Sequence, residues 1–212
     1  VSDEIVTRWL DWKKDVQLLS QVSVPRWYTP GGRKVKLYEL HHFSDASTLG
    51  YGQCTYLRTT DEEGLISTSL VMSKAKVTPK RPVTVPRLEL MAAALSVKVG
   101  CFLQEELDIP GIVQYYWTDS QVILGYIRNE TRRFHVFVAN RVQQIRQHTN
   151  PDQWRYVRSE ENPADLASRG LRAATIMDCD LWWHGPRFLQ EAADLPNEAI
   201  EMETQDDDPE VK

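Results

Sequence analysis

The chain has 212 residues, 42% of them hydrophobic and seven of them Trp, enough for one ordinary core, and a formal net charge of −5. The charge is uneven: residues 171–212 hold eleven acids against three Lys or Arg, whereas residues 1–170 hold nineteen acids against twenty-two bases, so the global acidity does not exclude an anionic ligand for the main body. There is no run of about 18 apolar residues and no signal-peptide pattern, and Cys54, Cys101 and Cys179 form no Cys-x-x-Cys pair. A membrane span, a disulfide framework and a zinc ribbon are therefore not expected, and an intracellular, cytoplasmic protein is. The chain opens on Val1, which leads us to expect a piece of something longer.

Residues 3–22 place Ile5, Val6, Trp9, Leu10, Trp12, Val16, Leu18 and Leu19 in a wide helical stripe, which predicts a helix packed on the main sheet. Pro25, Pro30, Gly31 and Gly32 then break the chain, so 1–34 reads as an N-terminal helical extension or the end of a preceding domain. From Val35 to Phe43 the apolar residues fall on both parities, as in a central strand covered on both faces, and the run ends on Asp45, Ala46 and Ser47. Residues 50–58 and 65–72 flank the acidic turn Asp61-Glu62-Glu63-Gly64, a hairpin signal that completes a three-stranded antiparallel meander. Gly50 and Gly52, without Cβ atoms, leave room beside Asp45 for a ligand or a neighbouring backbone.

A Lys- and Pro-rich stretch, 74–87, leads into Leu88, Met91, Ala92, Leu95, Val99 and Phe102 at helical spacing, with Thr84 or Val85 at the cap and Pro86 in the first turn. Glu89 is read in that first turn, where a helix-dipole role alone would account for it. Residues 112–118 form a second strong strand ending on Asp119, which as an isolated feature could be an N-cap. Helices follow over 120–127 and 134–145, then a short strand at 154–158. Asn162 serves as cap, Pro163 as first helical residue and Gly170 as stop for a helix that carries Asp165 in its opening turn. Residues 181–189 form an aromatic docking segment. The run Asp206-Asp207-Asp208-Pro209-Glu210 is read as a solvated, partly disordered end.

The order is strand, strand, strand, helix, strand, helix, helix, strand, helix, an α/β chain with carboxylates at two strand ends and two helix starts. All four can converge on one sheet edge, where their repulsion would be relieved mainly by cations. Oxygen donors without His or Cys select Mg²⁺ or Mn²⁺. Two such ions about 3.5–4 Å apart suit an in-line phosphoryl displacement. His41 and His42 are read as packing residues rather than ligands.

Phe43-Ser44-Asp45-Ala46-Ser47, Pro86-Arg87-Leu88-Glu89-Leu90, Trp117-Thr118-Asp119-Ser120 and Asn162-Pro163-Ala164-Asp165-Leu166-Ala167-Ser168-Arg169 resemble the four acidic motifs of the ribonuclease H family, in order. The wording is most similar to the RNase H region of Bel/Pao-type retrotransposon Pol polyproteins, over about residues 35–170. The resemblance implies an RNase H-like fold, with a five-stranded mixed sheet of three antiparallel strands followed by two parallel ones, flanked by helices. It implies residues 1–34 as the end of a reverse transcriptase thumb or connection, 35–170 as the RNase H-like domain, and 171–212 as docking segment and tail. Asp45, Glu89, Asp119 and Asp165 would be catalytic and bind two Mg²⁺, with Mn²⁺ able to substitute. Asp45 would bridge both ions, Glu89 and Asp119 serve one, and Asp165 serve the other. The implied reaction is cleavage of the RNA strand of an RNA/DNA hybrid, leaving a 3′-hydroxyl and a 5′-phosphate, with the reverse transcriptase domain of the same polyprotein as partner and no membrane.

Hybrid specificity would come from 2′-hydroxyl contacts and groove shape. Ser47, Ser120 and Gln121 are candidates for sugar contacts. Lys74, Lys76, Lys80, Arg81 and Arg87, with Arg128, Arg132 and Arg133, are candidates for phosphate contacts. The chain departs from many family members in that Arg158-Ser159-Glu160-Glu161 lacks the assisting His before the last Asp. Two other readings stand beside the enzyme: a non-catalytic module of the same fold that binds nucleic acid or acts as a spacer, and a transposase or integrase core, which would need a late helical Glu as its last ligand.

Overall fold

The computed structural model describes residues 2–25, 27–28, 32–192, 195–196 and 208–212. Its centre is a mixed sheet of β1 (Val35–Ala46), β2 (Gly50–Asp61), β3 (Ile66–Val77), β4 (Val113–Thr118) and β5 (Trp154–Tyr156), in the order β3-β2-β1-β4-β5. β1, β2 and β3 form the expected antiparallel meander, turned at Gly64 with φ +84°. β4 runs parallel to β1 and β5 parallel to β4. The register decides where the acids go. Ser44 stands opposite Thr118, so Asp45 and Asp119, each the next residue, leave the sheet side by side at the C-terminal ends of two parallel strands.

β1 is the middle strand and is buried on both faces beyond Glu39. Over one face lies α2 (Val85–Leu107), capped by Thr84 with Pro86 near its start, and beside it α3 (Gln121–Arg128) and α4 (Val136–His148). Tyr116, Ile123, Ile127, Val138, Ile145 and Trp154 make the core between them. Gly100 matters here because α2 crosses the sheet over a buried polar group. A Cβ at that position would collide with the Tyr116 hydroxyl and sit 2.8 Å from Gln114 Oε1 and 3.2 Å from His42 Nε2.

The opposite face is covered by α5 (Ala164–Arg169), α7 (Asp180–His184) and the turn Arg187–Leu189, while α6 (Ala173–Ile176) packs against the N-terminal residues 3–21. Phe43, Tyr56, Trp117, Val157, Ala164 and Leu189 form that core, with Phe188 against Phe43 and Trp117. The aromatic segment packs on this face. Tyr56 donates its hydroxyl to Trp182 O at 2.8 Å, and Arg58, ion-paired with Glu39, donates to Leu189 O at 2.9 Å.

Two expectations change. The N-terminal helix forms as α1 (Asp3–Gln17), yet none of its residues is buried: Trp9 and Trp12 stack on each other and stay 56% and 53% exposed. Both sheet faces are already occupied by helices, so its stripe finds no sheet to cover, and Asp15 instead accepts from the backbone N–H of Ala173 at 2.7 Å. Pro30 and Gly31 of the expected break, and Asp206 and Asp207 of the acidic run, lie outside the described residues. The rest of that run is no solvated end: Glu210 is buried, and Val211 forms an antiparallel bridge with Phe134. Among the described residues no helix is long and apolar enough to cross a membrane.

Candidate active site

Asp45 reaches its place because β1 carries it beyond the last pairing with β4. Its Oδ2 accepts from Ser168 Oγ of α5 at 2.5 Å, and Ser47 Oγ donates to Ser168 O at 2.9 Å, clasping the β1–β2 turn to α5. Gly50 and Gly52 make that approach possible. A Cβ at Gly50 would lie 2.9 Å from Lys76 O and 3.1 Å from Ser168 O, and one at Gly52 would lie 3.0 Å from Ala167 Cβ, so the room beside Asp45 is taken by neighbouring backbone. Burial pushes the Asp45 carboxyl up to about 6; the Ser168 hydrogen bond opposes this, and the charges of Asp119 and Asp165 add to it.

Glu89 is the fifth residue of α2, just past the first turn in which the sequence places it, so a first-turn dipole role does not account for it. It accepts from Ser120 Oγ at 2.6 Å, and burial followed by the charge of Asp119 raises its pKa against that hydrogen bond. Ser120, not Asp119, caps α3, taking the N–H of Ile123 at 3.3 Å. Asp119 is thereby left for other partners: Ser159 Oγ at 2.6 Å and Asn162 Nδ2 at 3.3 Å. The same Asn162 amide donates to Ser44 O at 3.1 Å, tying the β1 end, the β4 end and the start of α5 together. Pro163 rather than Asn162 is the cap residue of α5, although Asn162 Oδ1 still accepts from the Ala164 N–H at 3.1 Å. Asp165 in the first turn of α5 takes Arg169 Nε at 2.5 Å, one helical turn on.

Four elements thus bring four carboxylates to one edge, where Asp45 feels Asp119 and Asp165, and Glu89 feels Asp119. Each carboxylate has a hydrogen-bond donor of its own, and among the described residues no three His, Cys, Asp or Glu side chains converge as a ready-made metal group. The donor chemistry nevertheless fits a hard divalent cation: oxygen atoms alone, mutually repelling, with the named donors to Asp45, Glu89 and Asp119 all neutral. His41 and His42 pack, as read from the sequence. His41 Nδ1 meets Trp117 Nε1 at 3.1 Å, and His42 sits between Thr55 at 2.8 Å and Gln114 at 3.0 Å; burial lowers both pKa values, His42 to about 3.

The sugar-contact candidates separate. The Ser47 hydroxyl is engaged with Ser168 O and receives the N–H of Leu49, and the Ser120 hydroxyl is engaged with Glu89, so both hold the site together from inside; Gln121 is exposed. The cations fall into groups. Lys74 and Lys76 are exposed on β3, and Lys76 shares a cleft of about 260 Å³ with Lys98 and Arg141, two residues that the sequence reading did not single out for substrate. Arg81 is exposed on the loop before α2. Arg132 and Arg133 line a second cleft with Arg146 and Lys212, while Arg87 is ion-paired with Glu210. The sequence reading also passed over Ser159, Asn162 and Ser168 as partners of the acids. A hydroxyl three residues after Asp165, on the same helical face, was the available signal for Ser168.

Comparison with curated proteins gives no match. Among solved structures, RNase H1 from the halophilic archaeon Halobacterium salinarum NRC-1 aligns over 61% of this chain and 92% of its own, with 11% identity and a TM-score of 0.39. The N-terminal RNase H domain of a Mycobacterium tuberculosis protein aligns over 65% and 97%, with 9% identity and a TM-score of 0.40. LC11-RNase H1 in complex with an RNA/DNA hybrid aligns over 61% and 92%, with 11% identity and a TM-score of 0.40. The family model described as Pao retrotransposon-like RNaseH-like domain matches residues 1–120, which span α1, β1 to β4 and three of the four acids, and the chain belongs to that family.

Proposed function

We propose that the chain is a divalent-metal-dependent ribonuclease H that hydrolyses the RNA strand of an RNA/DNA hybrid. The observation that carries this reading is the delivery of Asp45, Glu89, Asp119 and Asp165 by four separate elements to one edge, where Asp45 and Glu89 are electrostatically coupled to their acidic neighbours. Carboxylates crowded this way are costly unless something positive joins them, and an RNase H-like chain offers a use for it. Asp45, Glu89 and Asp119, with Asp165, would hold two Mg²⁺ or Mn²⁺. Bound there, the ions supply water activation and stabilisation of the leaving oxygen in a phosphodiester hydrolysis.

The chain's own groups do the positioning. Ser168 and Ser120 each fix one oxygen of Asp45 and Glu89, while Asp119 is held through both oxygens, by Ser159 and more loosely by Asn162 at 3.3 Å, the contact a cation would have to share or replace. Asp165, half-buried and paired with the exposed Arg169, would have to give up that partner to hold a cation. Lys74, Lys76 and Arg81, all exposed, would meet phosphates, and the exposed Gln121 would contact a sugar. Residues 35–170 would be the nuclease proper, with 1–34 joining it to a reverse transcriptase.

The test is cleavage of a labelled RNA/DNA hybrid with Mg²⁺, beside duplex RNA and single strands. Hybrid-specific cutting that Asp45→Asn and Asp119→Asn each reduce by at least about 100-fold is the expected result. A non-catalytic nucleic-acid-binding module is the second reading, favoured by the Asp165–Arg169 pair and by the lack of a convergent metal group among the described residues. Binding of hybrid without cleavage, and without Mn²⁺ uptake by calorimetry, would select it.

A further inference from the structure

Residues 208–212 lie against Tyr126 of α3 and residues 133–135 before α4, with Glu210 on Arg87 of α2, and the way they are held suggests what they displace. Glu210 takes Arg87 through both carboxylate oxygens, Nε to Oε1 at 2.6 Å and the second guanidinium nitrogen to Oε2 at 3.0 Å. That fork grips a carboxylate or two phosphate oxygens equally well. The rest of the segment is a clasp. The N–H of His135 donates to Glu210 O at 2.9 Å, the N–H of Lys212 donates to Arg133 O at 2.8 Å, and Asp208 accepts the Tyr126 hydroxyl at 2.8 Å while capping the Glu210 N–H at 2.8 Å.

A second feature points to a larger anion than one carboxylate. Arg141 lies over the Phe137 ring at 3.5 Å and Arg87 lies 4.9 Å from the same ring, so two guanidinium groups flank one aromatic side chain with Glu210 as the acid bound at Arg87. Arg87 and Glu89 stand in the opening turns of α2 but two residues apart, so they face different ways: Glu89 meets Ser120 and Arg87 meets Phe137 and Glu210.

We propose that Arg87, with Arg141 beside it, is a binding site for a nucleic-acid backbone phosphate, and that the chain closes this site with its own Glu210. The proposal rests on the reading of the chain as a nucleic-acid enzyme and adds self-competition to it: the acidic end is an internal mimic of the phosphate, and the hybrid must displace it to engage α2.

The test uses the full chain, Glu210→Gln, and Tyr126→Phe, which loosens the same segment at Asp208 rather than at the Arg87–Glu210 pair. A fluorescent RNA/DNA hybrid is titrated without divalent ions over a range of salt. Both variants should bind several-fold tighter than the parent, Glu210→Gln with a salt slope steeper by about one phosphate contact. A synthetic peptide of residues 205–212 should weaken the binding of Glu210→Gln back toward the parent value. Equal or weaker binding by both variants, or a Glu210→Gln protein that no longer folds, overturns the proposal, since the segment would then be a structural clamp. Cleavage in Mg²⁺ is read separately: none in any form would sink the nuclease reading while leaving a binding gain intact.

Discussion

Burial and the charges of Asp119 and Asp165 hold the Asp45 carboxyl near 6 against an ordinary 3.8, so without metal the fold carries this residue at a cost. The native state keeps the Asp45 proton to higher pH than the unfolded chain does. The associated stability is therefore present below about pH 4 and is lost as the pH rises through about 6. At about 1.4 kcal/mol per pKa step of one, the loss at pH 7 is about 3 kcal/mol. Asp45→Asn removes the charge while keeping an acceptor for Ser168. In metal-free urea titrations it should be more stable than the parent by about 2–3 kcal/mol at pH 7, and the advantage should vanish below pH 4. His41 and His42 act with the opposite sign: buried neutral, they contribute stability above 6.5 that is lost as the pH falls, His42 toward about 3. Both proteins share that loss, so their difference isolates Asp45. A variant no more stable than the parent at pH 7 would mean that the carboxylate is not under strain.

α2 and α1 make opposite points about how elements are held. α2 is anchored through Gly100, whose missing Cβ lets the helix sit on Tyr116, Gln114 and His42. Gly100→Ala would gain the usual helix propensity of about 1 kcal/mol, yet must push the helix off a hydrogen-bonded polar group, and a net loss of about 2–3 kcal/mol in urea denaturation is expected. No residue of α1 is buried and Trp9 and Trp12 stack on each other, so Trp9→Ser with Trp12→Ser should change stability by no more than about 0.5 kcal/mol in the same measurement. These elements also mark what the sequence made legible. Strands, helices and three of the acids were readable because each of those acids closes or opens an element with its own local pattern: Asp45 after an apolar run, Asp119 after another, Asp165 behind Asn162-Pro163; Glu89 lies inside α2 and has no such mark. The coverage of α1 was not readable, since a stripe declares an apolar face without saying what meets it. Nor was the docking of Glu210, whose local composition reads as solvated and whose partner, Arg87, lies 123 positions away. The serines that hold the acids escaped for the same reason: Ser168 meets Asp45 across 123 residues and Ser159 meets Asp119 across 40, contacts that only the register of β1 with β4 brings about.

At the scale of the whole molecule, the sheet edge, α2 and α5 are separate elements that the four acids load with like charge, so a cation bound among them should bind the folded state and not the unfolded one. Stability then rises by mass action, about 2.7 kcal/mol when the free ion stands at a hundredfold its dissociation constant. For a chain of about this size, 1 kcal/mol moves the melting point by about 2–4 °C, so saturating Mg²⁺ should raise it by about 5–10 °C. The rise must come from the site and not from general screening. Asp45→Asn, already more stable in the metal-free state, should show little or none of it, and the two melting curves should approach or cross as Mg²⁺ is added. Na⁺ at matched ionic strength should not reproduce the effect. A parent melting point indifferent to millimolar Mg²⁺ would mean that the Asp165–Arg169 pair and the serine hydrogen bonds hold the carboxylates too firmly apart for an ion to gather them. Equal shifts in parent and variant would place the bound ion elsewhere on the chain.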